Sequence, residues 1–567
     1  MARYRWCIRQ VEDQKAERLV EALHVSRTVA RLLVARGYDD PETAYRFLNP
    51  SLSDLADPNL LPDAERAVAR LVQAIQKCER ILIYGDYDVD GVSSAALWKT
   101  TLERLGAVVH VKLPHRGREG YDLHPVAIEE ARQFGATLVL ACDCGTRADA
   151  AVDALNANRL DVIITDHHEP DSHLPNAVAV VNPKRADSQY PYPYLSGVGV
   201  SFRLAEALLR ELKCSLNGFR RRMLDLVALG TVADVMPLTW ENRILVREGL
   251  DVLHATQRAG LKHLKQVAGL QGRRPTATDI AFRLAPRLNA SGRLGDAVYA
   301  LQLLLTEDED EALRIAEMLN RFNAERQQME DEAIREAIAM VEVEQQLRHK
   351  ALIIGSPHWH HGIVGLVAGK LRERFARPAF AMSIEEDTGR ARGSIRSVPE
   401  LDLAPLLQQM KPLCTKCGGH AIAGGFSVKL EHLEALRKLI WEYADATLTD
   451  GDLVPRLEID AEVSPNEINL AVWRDLRQME PFGQGNSKPL FVSRDLTVIG
   501  RRTCRNNRHL FLEIGHARLA GSVSAVMWNG GDYLIDPQTR MDAVFSVEWD
   551  DYNGALRWEL KDFEERL

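Results

Sequence analysis

ILIYGDYDVDGVSSAALWKTTLERLG, residues 81–106, sets the fold class. ILIYG at 81–85 is an unbroken apolar run of strand length, and 92–106 repeats its apolar residues at helical spacing. Between them stand three carboxylates at alternate positions, Asp86, Asp88 and Asp90, bracketed by Gly85 and Gly91. The alternation continues outward. VVHVKLP (108–114) reads as a strand, IEEARQFG (128–135) as a helix, and TLVLAC (137–142) and DVIIT (161–165) as strands. Strand and helix in turn predict βαβ units on a parallel sheet, an α/β fold.

Beyond this core, residues 1–60 read as helical, and AERAVARLVQAIQK (64–77) as an amphipathic helix. A charged stretch at 307–347 predicts either one long helix or a packed pair. ALIIGS (351–356) opens a second α/β unit that runs to about residue 445. After VPRLEIDAEV (454–463) come short strands, LFVSRDLTVIG, HLFLEIG, GSVSAVMWN and AVFSVEW, which predict a small β-barrel. The expected divisions are 1–60, 61–305, 306–348, 349–450 and 455–567.

Composition excludes several classes. The 567 residues are 46% hydrophobic and 27% charged, as in a globular chain too long for a single core. No apolar run is long enough for a membrane span, and MARYRWCIRQ lacks the apolar centre of a secretory signal, so a cytoplasmic location is expected. Eight cysteines fit reduced thiols; Cys414 and Cys417 have redox or zinc spacing, but no second pair follows. The net charge of −9 argues weakly against a nucleic-acid partner. Distribution counts for more: basic clusters lie at 271–293, 390–396 and 501–508, either phosphate contacts or solvated faces.

The chemistry gathers at strand ends. Three like charges in GDYDVDG (85–91) repel unless a cation or strong donors offset them. An EF-hand would need further oxygen ligands and a downstream Glu, which are missing. The next apolar run ends in Cys142-Asp143-Cys144-Gly145, with strand alternation expected to turn both thiols away from Asp143. The third ends in Asp166-His167-His168, and Asp234 follows a further apolar stretch. Carboxylate and imidazole delivered to one sheet edge form a donor set suited to Mn2+ or Mg2+.

GDYDVDG, CDCG (142–145), TDHH (165–168) and TVADVMPL (231–238) resemble the successive motifs of the DHH phosphoesterase superfamily. PHRGREGY (114–121) and NASGR (289–293) resemble the RecJ family within it, and HHGIVG (360–365), GSIR (393–396) and CGGHAIAG (417–424) resemble the DHH-associated domain. PFGQGN (481–486) with the barrel after it resembles the RecJ family's oligonucleotide-binding fold, so the match covers nearly the whole chain. The resemblance implies a DHH domain, a helical linker, a DHH-associated α/β domain and an OB-fold barrel. It implies two divalent ions, Mn2+ or Mg2+, with Asp88 and Asp90 each holding one, Asp143 bridging, and His167 and Asp234 completing the shell. Asp86 would assist, Asp166 would orient the histidines, and His168 would face the scissile phosphate. Arg116, Ser394 and Arg396 would hold a 5′ phosphate between the first two domains, with Arg293 and His420 along the DNA path. On the barrel, Arg501, Arg502, Arg505 and Arg508 would grip the strand; the core is the expected home of Phe511 and Trp528.

Activity follows by the same resemblance: 5′→3′ degradation of single-stranded DNA to mononucleotides in recombination and repair. Implied partners are a single-strand-binding protein and a RecQ-type helicase, with the enzyme a monomer. Two alternatives stay open, a phosphodiesterase for short oligonucleotides or cyclic dinucleotides, and an inactive single-strand-binding factor.

Overall fold

The structure, a computed structural model, describes residues 4–115, 119 and 122–566. The chain forms two compact units: residues 45–324 with 478–488, and residues 1–44 with 325–477 and 489–567.

In the first unit the apolar runs become five parallel strands, β1 (Arg80–Gly85), β2 (Val108–Lys112), β3 (Leu138–Cys142), β4 (Asp161–Thr165) and β5 (Ala179–Val181). Their order is β2-β1-β3-β4-β5. The runs are unbroken because both faces are covered. Ile81, Ile83, Leu138, Leu140 and Ile163 enter one core; Leu82, Tyr84, Val139, Val162 and Ile164 enter the other. The chain leaves β1 toward β2 and returns to β3 on β1's other side, so the strand order reverses there. In open α/β sheets that reversal leaves a crevice at the carboxyl ends of the strands.

Helix α1 (Val89–Arg104) follows β1 and starts three residues earlier than its apolar spacing predicts. Asp88 is its N-cap, accepting from the amides of Asp90 (2.9 Å) and Gly91 (3.1 Å). Helices α2 (Gly197–Glu211) and α3 (Leu216–Ala233) bury apolar faces in the same core as α1.

The second unit holds a five-stranded sheet in the order Cys414–His420, Ala423–Lys429, Arg390–Arg396, Ala379–Glu385, Leu352–Ser356. It also holds a barrel of Phe491–Thr503, Leu510–Gly515, Ser522–Met527, Ala555–Glu565 and Arg540–Asp550, closed by pairing of the first with the last. The charged stretch is one helix of 35 residues, Glu309–Val343, rather than a packed pair.

The start of the chain departs from the helical expectation. Arg5–Ile8 is a strand, parallel to Arg456–Ile459. Four residues are too few for periodicity to separate strand from helix; what fixes them is Trp6 and Ile8 packing against Ile459, Val492 and Val544. Helices at Asp13–Leu23, Arg27–Ala35 and Pro41–Leu48 follow.

Candidate metal centre

Four segments of the first unit bring carboxylates and imidazoles together at the carboxyl ends of the strands. The β1 loop supplies Asp86, Asp88 and Asp90, the β3 end Asp143, the β4 end His167 and His168, and the end of α3 Asp234. Their ligand atoms form three overlapping sets, each within 4.8 Å: Asp90, His167 and Asp234; Asp86, Asp88 and Asp143; Asp143, His167 and His168. His167 Nε2 lies 3.1 Å from Asp143 Oδ1, 3.4 Å from Asp234 Oδ2 and 3.9 Å from Asp90 Oδ2.

Local backbone sets these positions. Strand alternation stops at Cys142, because Asp143 turns to φ 63°, the left-handed region that favours glycine. Cys142 and Cys144 therefore enter the two different cores. Asp90, fully buried, accepts from the amides of Gly197 (2.7 Å) and Val198 (2.9 Å) at the start of α2. Two glycines allow the helices so close. A Cβ on Gly197 would stand 2.3 Å from Asp143 Oδ1, and one on Gly230 would stand 2.5 Å from Asp90 Oδ1.

The two histidines are shifted in opposite directions. Burial, with the charge of His168 added, pushes His167 down to about 3, so its ring is neutral and can offer a lone pair. Burial also opposes charge on His168, but the charge and hydrogen bond of Asp166 outweigh it and raise its pKa. Asp166 Oδ1 accepts from His168 Nδ1 (2.7 Å) and the amides of His167 (2.7 Å) and His168 (3.2 Å), and its Oδ2 accepts from the Thr146 amide. Burial pushes Asp166 up, yet His168 holds it far below the carboxylate range. Asn182, fully buried, donates to the His168 carbonyl (2.8 Å) and fixes the loop from the other side.

The remaining carboxylates are frustrated. Burial and the charge of Asp88 push Asp90 up to about 7. Burial, followed by Asp90 and Asp88, raises Asp143 and Asp234 well above the usual range. Asp143 Oδ1 and His167 Nε2 are buried without a hydrogen bond, although they face each other. Crowded carboxylates with an unsatisfied oxygen and a neutral imidazole nitrogen are the donors a hard or borderline divalent cation requires. The residues fit a pair of such ions. A methyl group on Gly197 would displace the Asp143 carboxylate, so Gly197→Ala is expected to weaken Mn2+ binding at least about tenfold. Calorimetric titration of the folded variant would show this, and its metal-free melting temperature should fall as well, because the added methyl overpacks a buried contact.

The other expected residues are distributed over both units. Arg293 lies on a helix of the first unit, Ala285–Leu294. Arg116 lies outside the described residues. In the second unit, Ser394 and Arg396 share one face of Arg390–Arg396, and a Cβ on Gly365 would stand 3.4 Å from both Ser394 Oγ and Arg396 Nη2. Arg396 and His420 pair with Ala423 from opposite sides, in one row across the sheet.

On the barrel, the Arg502 guanidinium lies 4.5 Å over the Phe511 ring. Arg501 donates to the Tyr533 carbonyl, Arg508 donates to Asn529 Oδ1, and Arg505 is exposed. The expectation that the barrel aromatics are core residues is wrong for both. Phe511 is half-buried beneath Arg502 on the outer side of its strand, and Trp528, in the turn that follows Ser522–Met527, is 42% exposed. Arg501, Arg502 and Phe511 line a groove of ≈ 570 Å³.

Residues 80–231 match the DHH family N-terminal domain, 345–446 the DHHA1 domain, and 459–561 the RecJ OB domain. The single-stranded-DNA-specific exonuclease RecJ of Bacillus subtilis (strain 168) is 37% identical over 562 residues, 99% of this chain and 70% of that protein. The chain belongs to the RecJ family. The crystal structure of RecJ in complex with Mn2+ from Thermus thermophilus superposes with a TM-score of 0.86 at 30% identity, over 100% of this chain and 80% of that one. The Mg2+ complex of that RecJ superposes with a TM-score of 0.79 at 29% identity, over 100% and 79%. RecJ thus occurs with both ions that the donor set suits.

Sequence reasoning missed four residues of the centre: Asn182, Gly197, Val198 and Gly230. Glycines opening or lining an apolar helix were the available signal for two of them. Nothing local marks Asn182, whose role depends on a partner 14 residues away.

Proposed function

We propose that the protein is a metal-dependent 5′→3′ exonuclease that hydrolyses single-stranded DNA to 5′-mononucleotides in recombination and repair. The observation that carries this reading is the convergence of Asp86, Asp88, Asp90, Asp143, His167 and Asp234 at the sheet's switch point, in a chain of the RecJ family. Asp88 and Asp90 would each hold an ion, Asp143 would bridge, and His167 and Asp234 would complete the shell, with Asp86 assisting. Bound there, the two ions supply an activated water and neutralise phosphate charge. His168, whose protonated form Asp166 favours, would stabilise the scissile phosphate and donate a proton toward the departing 3′ oxygen. Asn182 and Asp166 together fix the height and tilt of that ring.

Arg396 and Ser394, with Gly365 at their side, have the chemistry of a terminal-phosphate site: a guanidinium fork, a hydroxyl and close backbone. Arg396→Ala is expected to reduce the preference for 5′-phosphorylated over 5′-hydroxyl strands by about tenfold or more. The rate on 5′-hydroxyl strands should hold. Paired kcat/KM measurements on the two substrates check it.

The barrel favours strands over cyclic dinucleotides, because its groove adds, besides the metal centre, guanidinium and aromatic surface for backbone and bases. No helix among the described residues is long and apolar enough to cross a membrane. Cytoplasmic location, action as a monomer, and cooperation with a single-strand-binding protein and a RecQ-type helicase complete the proposal on family resemblance.

The test is digestion of a 3′-labelled, 5′-phosphorylated single strand with Mn2+, with Mg2+ and with chelator, beside the matching duplex. Metal-dependent loss from the 5′ end with the duplex spared supports the reading. Cleavage confined to di- and trinucleotides, or binding without cleavage, would replace it.

A further inference from the structure

A helical run from Ala277 to Leu294 changes its hydrogen bonding part-way. Pro286 has no N–H for the Phe282 carbonyl four residues back, and its ring crowds that carbonyl. The backbone widens into a π turn over Ile280–Leu284, in which the Ala285 amide donates to Ile280 O, five residues back. The Arg287 guanidinium takes up the Arg283 carbonyl at 2.6 Å. Ile280 and Leu284 remain buried, while Phe282 is turned out and is 75% exposed. Such turns occur often at functional sites.

The surroundings of Phe282 are cationic. Asp279 is shared by Arg273 (2.7 Å) and Arg283 (3.6 Å), and Arg287 follows one turn on, so arginine outnumbers carboxylate. The same run leads to the metal centre. Gly292 backs onto the loop of Asp86 and Asp88, where a Cβ would stand 3.2 Å from the Tyr87 carbonyl. Ten residues of helix at about 1.5 Å each put Phe282 roughly 15 Å from that loop. At about 3.4 Å per stacked nucleotide this is around four nucleotides, fewer if the strand is extended.

We propose that Phe282 is a base-stacking residue, gripping the single strand two to four nucleotides beyond the scissile phosphate while Arg283 draws in its backbone. An aromatic face accepts any base, which suits an enzyme that must not read sequence. The proposal rests on the single-strand reading above and deepens it.

The test compares wild type with Phe282→Ala, Phe282→Leu and Phe282→Trp; the side chain is exposed, so folding is not at stake. On 20-nucleotide strands Phe282→Ala should raise KM about tenfold at unchanged kcat, with Phe282→Trp restoring it and Phe282→Leu not. On dinucleotides all four should be alike. In chelator, 2-aminopurine placed at successive positions should show one quenched position that disappears only in the Ala and Leu variants. A 20-nucleotide KM unchanged in Phe282→Ala, full rescue by Leu, or an equal loss on dinucleotides overturns the proposal. If wild type itself digests no single strand, the exonuclease reading falls first.

Discussion

Replacing Asp143 by asparagine is expected to remove metal-dependent hydrolysis and, in the same molecule, to raise the melting temperature of the metal-free protein. Asp143 belongs to two of the three sets of ligand atoms, touching both the β1 loop and His167. An amide there cannot serve as an anionic bridge, so turnover should fall by far more than the 10–100-fold cost of a group outside the ligand shell. Without metal, the carboxylate is a burden. It is buried, crowded by Asp90, Asp88 and Asp234, held at a left-handed φ, and one oxygen lacks a hydrogen bond. Folding must protonate this carboxyl at neutral pH, whereas asparagine is neutral already, so the replacement removes that cost, and each kcal/mol gained raises the melting temperature by a few degrees. Calorimetry in chelator and in saturating Mn2+, beside a turnover assay, separates the two effects. A variant that cleaves normally, or melts lower than wild type in chelator, counts against the assigned role.

The second large effect is on pH. Metal-free protein should lose stability between about pH 4 and pH 7, and saturating Mn2+ should remove the loss. Asp90 titrates near 3.8 in the unfolded chain but near 7 in the fold. Across that interval the folded state holds a proton the unfolded state has released, so rising pH favours unfolding, by a ceiling of roughly 4 kcal/mol. Asp143 and Asp234, also raised, act in the same direction. His167 acts against them: lowered to about 3, it gives stability that grows with pH until the unfolded histidine has also lost its proton near 6.5. Three carboxylates outweigh one imidazole. Metal displaces the protons, so its affinity rises over the same interval. The check is a set of melting curves from pH 5 to 8 for wild type and Asp90→Asn in chelator. Equal slopes for the two proteins would mean that the cluster does not govern the dependence.

Much of this centre was legible because strand and chemistry occupy the same few residues. Asp86, Asp143 and Asp166 each follow an unbroken apolar run directly, so the reading that placed a strand also placed a carboxylate at its end. Gly197, Val198 and Gly230 were not legible, because their meaning is a contact across more than a hundred residues with Asp90, which no local period encodes. The barrel shows the same limit. Ala555–Glu565 carries six acidic or basic side chains among its eleven residues and reads as polar, yet Trp558 and Leu560 on its inner face are buried. Phe511 and Trp528 look apolar enough for the core, but the pairing of Phe511 with Arg502 places that ring on the groove side.

The pairing of Arg5–Ile8 with Arg456–Ile459 has a consequence for synthesis. The first strand leaves the ribosome about 450 residues before its partner exists. The unit that holds the metal centre waits in a similar way, for residues 478–488. Within it, the buried guanidinium of Arg243 donates to the carbonyls of Phe47, Gln478 and Met479, two of which are made last. A nascent chain released at residue 324 would carry every proposed metal ligand and still lack the Gln478 and Met479 carbonyls to which that cation donates. Assembly of that unit is therefore tied to synthesis of residues 478–488, so a product cut short before them is poorly placed to become an unregulated nuclease.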